Sequence, residues 1–270
     1  MYTGGQEREN TRRLAIMGDL HTAIQKNELE LYCQPKVAMS SKRICGVEAL
    51  VRWPHPKHGM IATIEFVKLA EQAGTITPLT HWMLDAAFSQ SYAWHKAGRE
   101  QALAVNLSAH DLYGSALVDR VRGLFSTWGV ATSLIQFELT ESALMADPVA
   151  ALETLTCLKK LGVQLFIDDY GTGYSSLSYL QQLPVDAIKI DQSFVMPMVA
   201  SGDSEVIVHS TIELGHKLGL KVVAEGVENE ATWAYLAGLG CDVAQGYLIS
   251  MPMPAGQFLQ CEATWTQGLG

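Results

Sequence analysis

Eight short β-type runs recur along the chain, and most are followed by a stretch with helical periodicity. The runs are "ELYCQPKV" (30–37), "CGVEALVRW" (45–53), "LAVNLS" (103–108), "IQFELT" (135–140), "QLFID" (164–168), "AIKID" (187–191), "KVVAEG" (221–226) and "VAQGYL" (243–248). Helical stretches fall near 64–73, 78–97, 114–128, 147–161, 203–218 and 229–238. Strands alternating with helices predict a parallel sheet, because each crossover lays a helix on the sheet face. Eight such units predict a closed β/α barrel. The first step is irregular: about seven residues separate the first two runs, whereas a parallel crossover needs roughly a dozen. The expected fold is therefore α/β, a modified (β/α)8 TIM-like barrel with an antiparallel first strand.

No long low-complexity segment divides 28–262, which reads as one domain. Ahead of it, "MYTGGQEREN" reads as linker. Leu14, Met17, Leu20 and Ile24 then fall at helical spacing, with Asn10 or Thr11 as N-cap and Asn27 near the end. The expected organisation is thus linker and helix over 1–27, barrel over 28–262 and a tail over 263–270. A net charge of −9 argues against a DNA or RNA groove and against a polybasic membrane patch. It leaves room for an anionic substrate, because bound metal ions reverse the local sign. The five cysteines are scattered, with no C-x-x-C pair, as expected of free thiols in a reducing cytoplasm. No apolar run approaches the ~18 residues of a membrane span.

Polar residues within the apolar runs gather at their ends. Glu48 and Arg52 share a face of the second strand with Leu50; Asn106 comes late in the third and Glu138 late in the fourth. Asp168 and Asp169 close the fifth, Lys189 and Asp191 share a face of the sixth, Glu225 ends the seventh, and Gln245 lies in the eighth. The C-terminal rim of a β/α barrel gathers such groups over one mouth. Singly, each has an ordinary structural explanation as a helix cap or rim ion pair. His55 and His58 in "HPKHG" read as turn residues, and Glu141 and Glu228 as loop anchors. Collectively, five acids, an asparagine and a lysine require cations, and an all-oxygen donor set suits Mg²⁺ or Mn²⁺ better than zinc. Adjacent Asp168 and Asp169 point to two ions, a recurring device for displacement at phosphorus. An enolase-like barrel leaves "DDYGTGYSSL" without a role, and a retaining glycosidase leaves the asparagine and lysine without one.

"VEALVRW" (47–53), "QP" (34–35), "NLS" (106–108), "ELTE" (138–141), "DDYGTGYSSL" (168–177), "IKID" (188–191), "AEGVE" (224–228) and "QGY" (245–247) together resemble the EAL domain family, in its order and over about residues 28–260. The resemblance implies a modified barrel that hydrolyses cyclic di-GMP to linear pGpG with Mg²⁺ or Mn²⁺ and an activated water. By the same resemblance Glu48, Asn106, Glu138 and Asp168 hold one ion, and Asp168, Asp169 and Glu225 a second. Lys189 orients the water or steadies phosphoryl charge, and Glu225 is a general base or a ligand. Arg52 meets a phosphate, while Gln34, Leu50, Gln245 and Pro254 line the nucleotide site. Glu141 and Glu228 position the loop "YGTGYSSL", which in family dimers meets the partner subunit.

Departures are Tyr170 for the usual Phe, Thr63 for the usual Pro, and Lys36 where an apolar residue is common. None removes a ligand. "YTGGQ" and the first helix resemble the exit from a GGDEF domain, implying a multidomain, cytoplasmic signalling parent that is free to be membrane-anchored elsewhere. A homodimer is implied by resemblance alone. The alternative is a catalytically weak EAL domain that serves as a cyclic di-GMP receptor.

Overall fold

The computed structural model describes residues 3–173 and 177–260. Ten strands and ten α-helices alternate along it. In chain order they are α1 (Thr3–Gln25), β1 (Glu30–Ala38), β2 (Arg43–His55), β3 (Gly59–Ile61), α2 (Thr63–Gln72), α3 (Ile76–Lys96), β4 (Leu103–Leu107), α4 (Ala116–Trp128), β5 (Ile135–Thr140), α5 (Glu141–Ala146) and α6 (Pro148–Lys160). There follow β6 (Gln164–Tyr170), α7 (Leu177–Leu180), β7 (Ala187–Ile190), α8 (Gln192–Val195), α9 (Gly202–Lys217), β8 (Lys221–Ala224), α10 (Glu230–Gly238), β9 (Val243–Ala244) and β10 (Met253–Pro254).

β2, β4, β5, β6, β7, β8 and β9 pair in parallel, and β1 closes the ring antiparallel to both β9 and β2. The short first connection, 39–42, has the predicted consequence: β1 and β2 form a hairpin from Glu30↔Arg52 to Ala38↔Arg43. β3 extends the far end of β2, and β10 adds to β1. This is the expected modified barrel.

Two apolar regions support it. The large core lies between strands and helices, where Leu103, Val105, Phe137, Leu165, Ile167, Ile188 and Val222 meet Leu84, Phe88, Leu124, Leu155 and Ile212. Inside the barrel is a much smaller cluster of Phe166, Ala187 and Val223, with Val243 packed against it. Alternation along each strand explains the division, since residues two apart share a face. Three helices, α5, α6 and α10, start on side-chain caps: Thr140 accepts from Ala143 N, Asp147 from Ala150 N and Asn229 from Thr232 N.

Three expectations change. The first helix runs back to Thr3, so residues 3–10 are helical and neither Asn10 nor Thr11 caps it; Gln6, Glu7, Arg8 and Glu9 are good helix formers that carry it backwards. The eighth strand pairs only over Val243–Ala244. Beyond it Gly246 packs on Val227, where an added Cβ would lie 2.2 Å from the Val227 oxygen, and the chain turns away. Three short helices are extra: α5 before α6, α7 before β7 and α8 before α9. The 263–270 tail and Cys261 lie outside the described residues; Cys45, Cys157 and Cys241 are free thiols.

Candidate active site

Parallel register carries side chains from six strands to one mouth. Asn106 pairs with Glu138, and Thr140 with Asp168. Across the hairpin, Gln34 stands opposite Glu48. Lys189 lies at the centre, fully buried. Its ammonium is 2.6 Å from Glu225 Oε1, 2.7 Å from Glu138 Oε2, 3.0 Å from Asp168 Oδ1 and 3.8 Å from Glu48 Oε2. Glu48 also accepts from Asn106 Nδ2 and from Gln245 Nε2, each at 2.7 Å. Gln245 Nε2 also reaches Gln34 Oε1 at 3.1 Å.

Burying so many carboxylates together divides their acidities. Burial works to raise Glu48, but Lys189, Lys36 and the bonds from Gln245 and Asn106 outweigh it and bring it to about 2. At Glu225 burial wins, aided by Asp168 and Glu48 against Lys189, and the carboxyl is pushed up to about 8. Burial, with Asp168 and Asp191 nearby, lifts Asp169 to about 6. Burial also raises Glu138 against the pull of Lys189 and Lys36. Burial would lower Lys189, yet Asp168, Glu138, Glu225 and Glu48 hold it well above an ordinary lysine.

Two consecutive strand residues normally face opposite sides, yet Asp168 and Asp169 come together at the mouth. The pairing of β6 with β7 shifts between Ile167 and Tyr170, and Asp169 adopts φ 52°, in the left-handed region. This irregularity turns the second carboxylate to the mouth, where Asp168, Asp169 and Glu225 present oxygens within 4.8 Å of one another. Bulges at barrel rims re-aim side chains in this way.

The segment after β6 hangs on Glu141, whose Oε2 accepts from Gly171 N at 3.0 Å and Gly173 N at 3.3 Å. Gly173 has no room for a side chain, since a Cβ there would sit 2.9 Å from the Glu141 carboxyl carbon. Tyr174, Ser175 and Ser176 of the loop motif lie outside the described residues. Glu228 stands exposed on the rim, with no hydrogen bond or ion pair among the described residues. Asp191 is a helix cap, accepting from Ser193 N at the start of α8.

A cleft of about 330 Å³ opens on the acids, lined by Gln34, Leu50, Arg52, Gln245 and Tyr247 among others. The proline on its wall is Pro252; Pro254 is tied into β10 opposite Tyr32, a two-residue shift that the run "MPMP" does not disclose. Arg52 donates to Val51 O at 2.9 Å and to Thr63 Oγ1 at 3.0 Å. Thr63 thus supplies a hydroxyl anchor that proline lacks. His55 is no ligand: it is buried, contacts Asp19 and accepts the Lys57 and His58 amides. Sequence reasoning missed Lys36, which is buried inside the barrel and ion-paired to Glu138. Its two-residue spacing from Gln34 was the signal.

The family described as EAL domain matches residues 17–252. Over 248 residues the chain is 43% identical to the bifunctional diguanylate cyclase/cyclic di-GMP phosphodiesterase MucR of Pseudomonas aeruginosa, covering 92% of this chain and 36% of that protein. It is 42% identical over 245 residues to the cyclic di-GMP phosphodiesterase NbdA of the same organism, covering 90% and 31%. The chain therefore spans about a third of the length of these relatives. The solved MucR phosphodiesterase in complex with c-di-GMP superposes with a TM-score of 0.87 at 42% identity, covering 90% of this chain and 99% of that one. The EAL enzyme Bd1971, bound to cAMP and cyclic-di-GMP, superposes with a TM-score of 0.88 at 32% identity, covering 95% and 70%. With the match extending over most of its length, and with a barrel whose mouth gathers the motif residues, the chain belongs to the EAL domain family.

Proposed function

We propose that this domain is a metal-dependent phosphodiesterase that hydrolyses cyclic di-GMP to linear pGpG. One observation carries the reading: Glu48, Glu138, Asp168 and Glu225 surround a single ammonium, with Asp169 beside them, at the floor of a polar cleft. The names of the relatives and the bound nucleotides of the neighbours support it.

The donor set fits hard divalent cations. It is all oxygen, and Lys189 and Lys36 cannot neutralise five carboxylates; burial together with the neighbouring acids leaves Glu225 and Asp169 with raised proton affinity. Glu48, Asn106, Glu138 and Asp168 would hold one Mg²⁺ or Mn²⁺, and Asp168, Asp169 and Glu225 a second. Such ions, when bound, lower the pKa of water and offset charge at phosphorus. The remaining work belongs to the chain. Lys189 would orient the attacking water and stabilise negative charge growing on the phosphoryl oxygens. Glu225, in contact with Lys189, serves either as a ligand or as acceptor of the water proton. Arg52, fixed by Thr63, faces the cleft as a phosphate contact. Gln245 Oε1 is buried with no hydrogen-bond partner among the described residues, an acceptor ready for a base N–H. Glu141 holds the loop that follows the strained Asp169.

The greater length of the relatives supports a longer signalling parent with an upstream regulatory or GGDEF domain, and the family resemblance supports a homodimer. No described helix is long and apolar enough to cross a membrane. The test is incubation with cyclic di-GMP and Mg²⁺ or Mn²⁺, with Glu48→Ala as control, following pGpG by chromatography. Metal-dependent product from the wild type alone is expected. Tight binding of intact cyclic di-GMP with no product would replace the enzyme with a receptor.

A further inference from the structure

Lys36 lies beneath the acids, on the side away from the cleft. β1 runs opposite to its neighbours, so the step from Gln34, level with Glu48, to Lys36, level with Gly46, descends into the barrel. There the ammonium ion-pairs with Glu138 Oε1 and lies 5.3 Å from the centre of the Phe166 ring. A second cavity, of about 490 Å³, opens at the opposite end and has Lys36, Gln136, Gln164 and Phe166 among its lining. The lysine stands between the two openings and is only 2% exposed.

The two lysines on Glu138 are not equivalent. Lys189 spreads its charge over four carboxylates at the mouth. Cations bound there would compete with it for the same oxygens. Lys36 has one carboxylate partner among the described residues, and it takes the lower oxygen, leaving Oε2 on the Lys189 side. With Oε1 fixed from below, the carboxylate cannot rotate without breaking a buried ion pair, a loss that is costly in a poorly solvated interior. Resting on the metal-site reading above, we propose that Lys36 is a positioning residue for the reaction: it fixes the plane of Glu138 so that Oε2 is presented at the mouth. A lysine that served only to neutralise a buried acid would matter for folding and not for the bound metal.

Lys36→Met retains the length of the side chain and removes the ammonium. In the full 270-residue chain, the melting temperature, the electron paramagnetic resonance spectrum of bound Mn²⁺, and kcat and KM at saturating Mn²⁺ are measured. Groups that orient metal ligands are typically worth 10–100-fold. The expected result is a kcat lower by at least about tenfold, KM within about twofold, and an altered Mn²⁺ spectrum. A folded variant with the wild-type spectrum and kcat, whatever its melting temperature, overturns the proposal. If Lys36→Met does not fold, Lys36→Arg decides: its larger head keeps the charge but must displace Oε1, so spectrum and kcat should both change, and no change overturns the proposal. A wild type that binds Mn²⁺ without hydrolysis would sink the phosphodiesterase reading alone, and the spectra would still judge Lys36. A wild type that binds no Mn²⁺ sinks both.

Discussion

Glu48 is gripped by Asn106 and Gln245 at 2.7 Å each, a cradle that holds the carboxylate still and ionised. Glu48→Gln keeps the volume while removing a charged oxygen donor, so turnover should fall by about two to three orders of magnitude with the fold retained, as for loss of a principal charge-stabilising group. Near-normal activity would refute the ligand assignment. Lys189→Ala should lower kcat much more than it alters KM, because help that grows toward the transition state appears in kcat. A raised KM with unchanged kcat would instead make Lys189 a binding residue. Without metal, the same variant leaves Glu138 and Asp168 short of a buried partner and should lose about 3–5 kcal/mol in a denaturant titration. The acids were legible because strand ends and period-two alternation predict who shares the mouth. Lys36 was not, since a cation in an apolar run at that position reads as a mild departure until Glu138, 102 residues away, is seen above it. The same limit hid Thr63, whose hydroxyl matters only once Arg52 is folded against it.

At the scale of elements, the hinge of the site is the passage from β6 through Asp169 to the loop on Glu141. Gly173→Ala would force a methyl against the Glu141 carboxylate, and Glu141→Gln would weaken the acceptor of two loop amides. Both should reduce kcat by about ten- to a hundredfold, the scale of supporting groups around a metal, while Mn²⁺ still binds. Amide exchange of Gly171 and Gly173 should quicken in Glu141→Gln. Wild-type kcat in both variants would make the contact incidental. The barrel itself was readable from the count of strand–helix units and from the seven-residue first connection, because chain length alone forbids a parallel crossover there. Local patterns gave less. "VAQGYL" carries strand-like residues, yet its ladder stops at Ala244 because Gly246 closes onto the Val227 backbone. Similarly, the glycines near the start of α1 read as linker although the helix continues through them.

The molecule as a whole holds a charged centre within a closed barrel, and this fixes how its stability should respond to pH and metal. Glu225 is raised from 4.5 to about 8 and Asp169 from 3.8 to about 6. A carboxyl whose folded pKa is raised contributes stability that is fully present below its unfolded pKa. That stability is lost as pH rises from the unfolded value through the folded one, since over this range the folded state still holds a proton that the unfolded chain has released. Glu48 behaves oppositely: lowered from 4.5 to about 2, it stabilises above about 4.5 and loses that contribution as pH falls toward 2. With chelator present, the domain should therefore be most stable in mildly acid buffer. Its Tm should fall between pH 6 and pH 9, by on the order of 5 °C or more. Mg²⁺ binds the ionised carboxylates of the folded chain and has no such site in the unfolded one, so it should raise Tm most at the alkaline end. The two curves, with and without Mg²⁺, should diverge as pH increases and converge near pH 5. Thermal melts across this range measure both. A chelated Tm that is flat or rises to pH 9, or a Mg²⁺ increment independent of pH, would show that these carboxylates are not what the cation relieves.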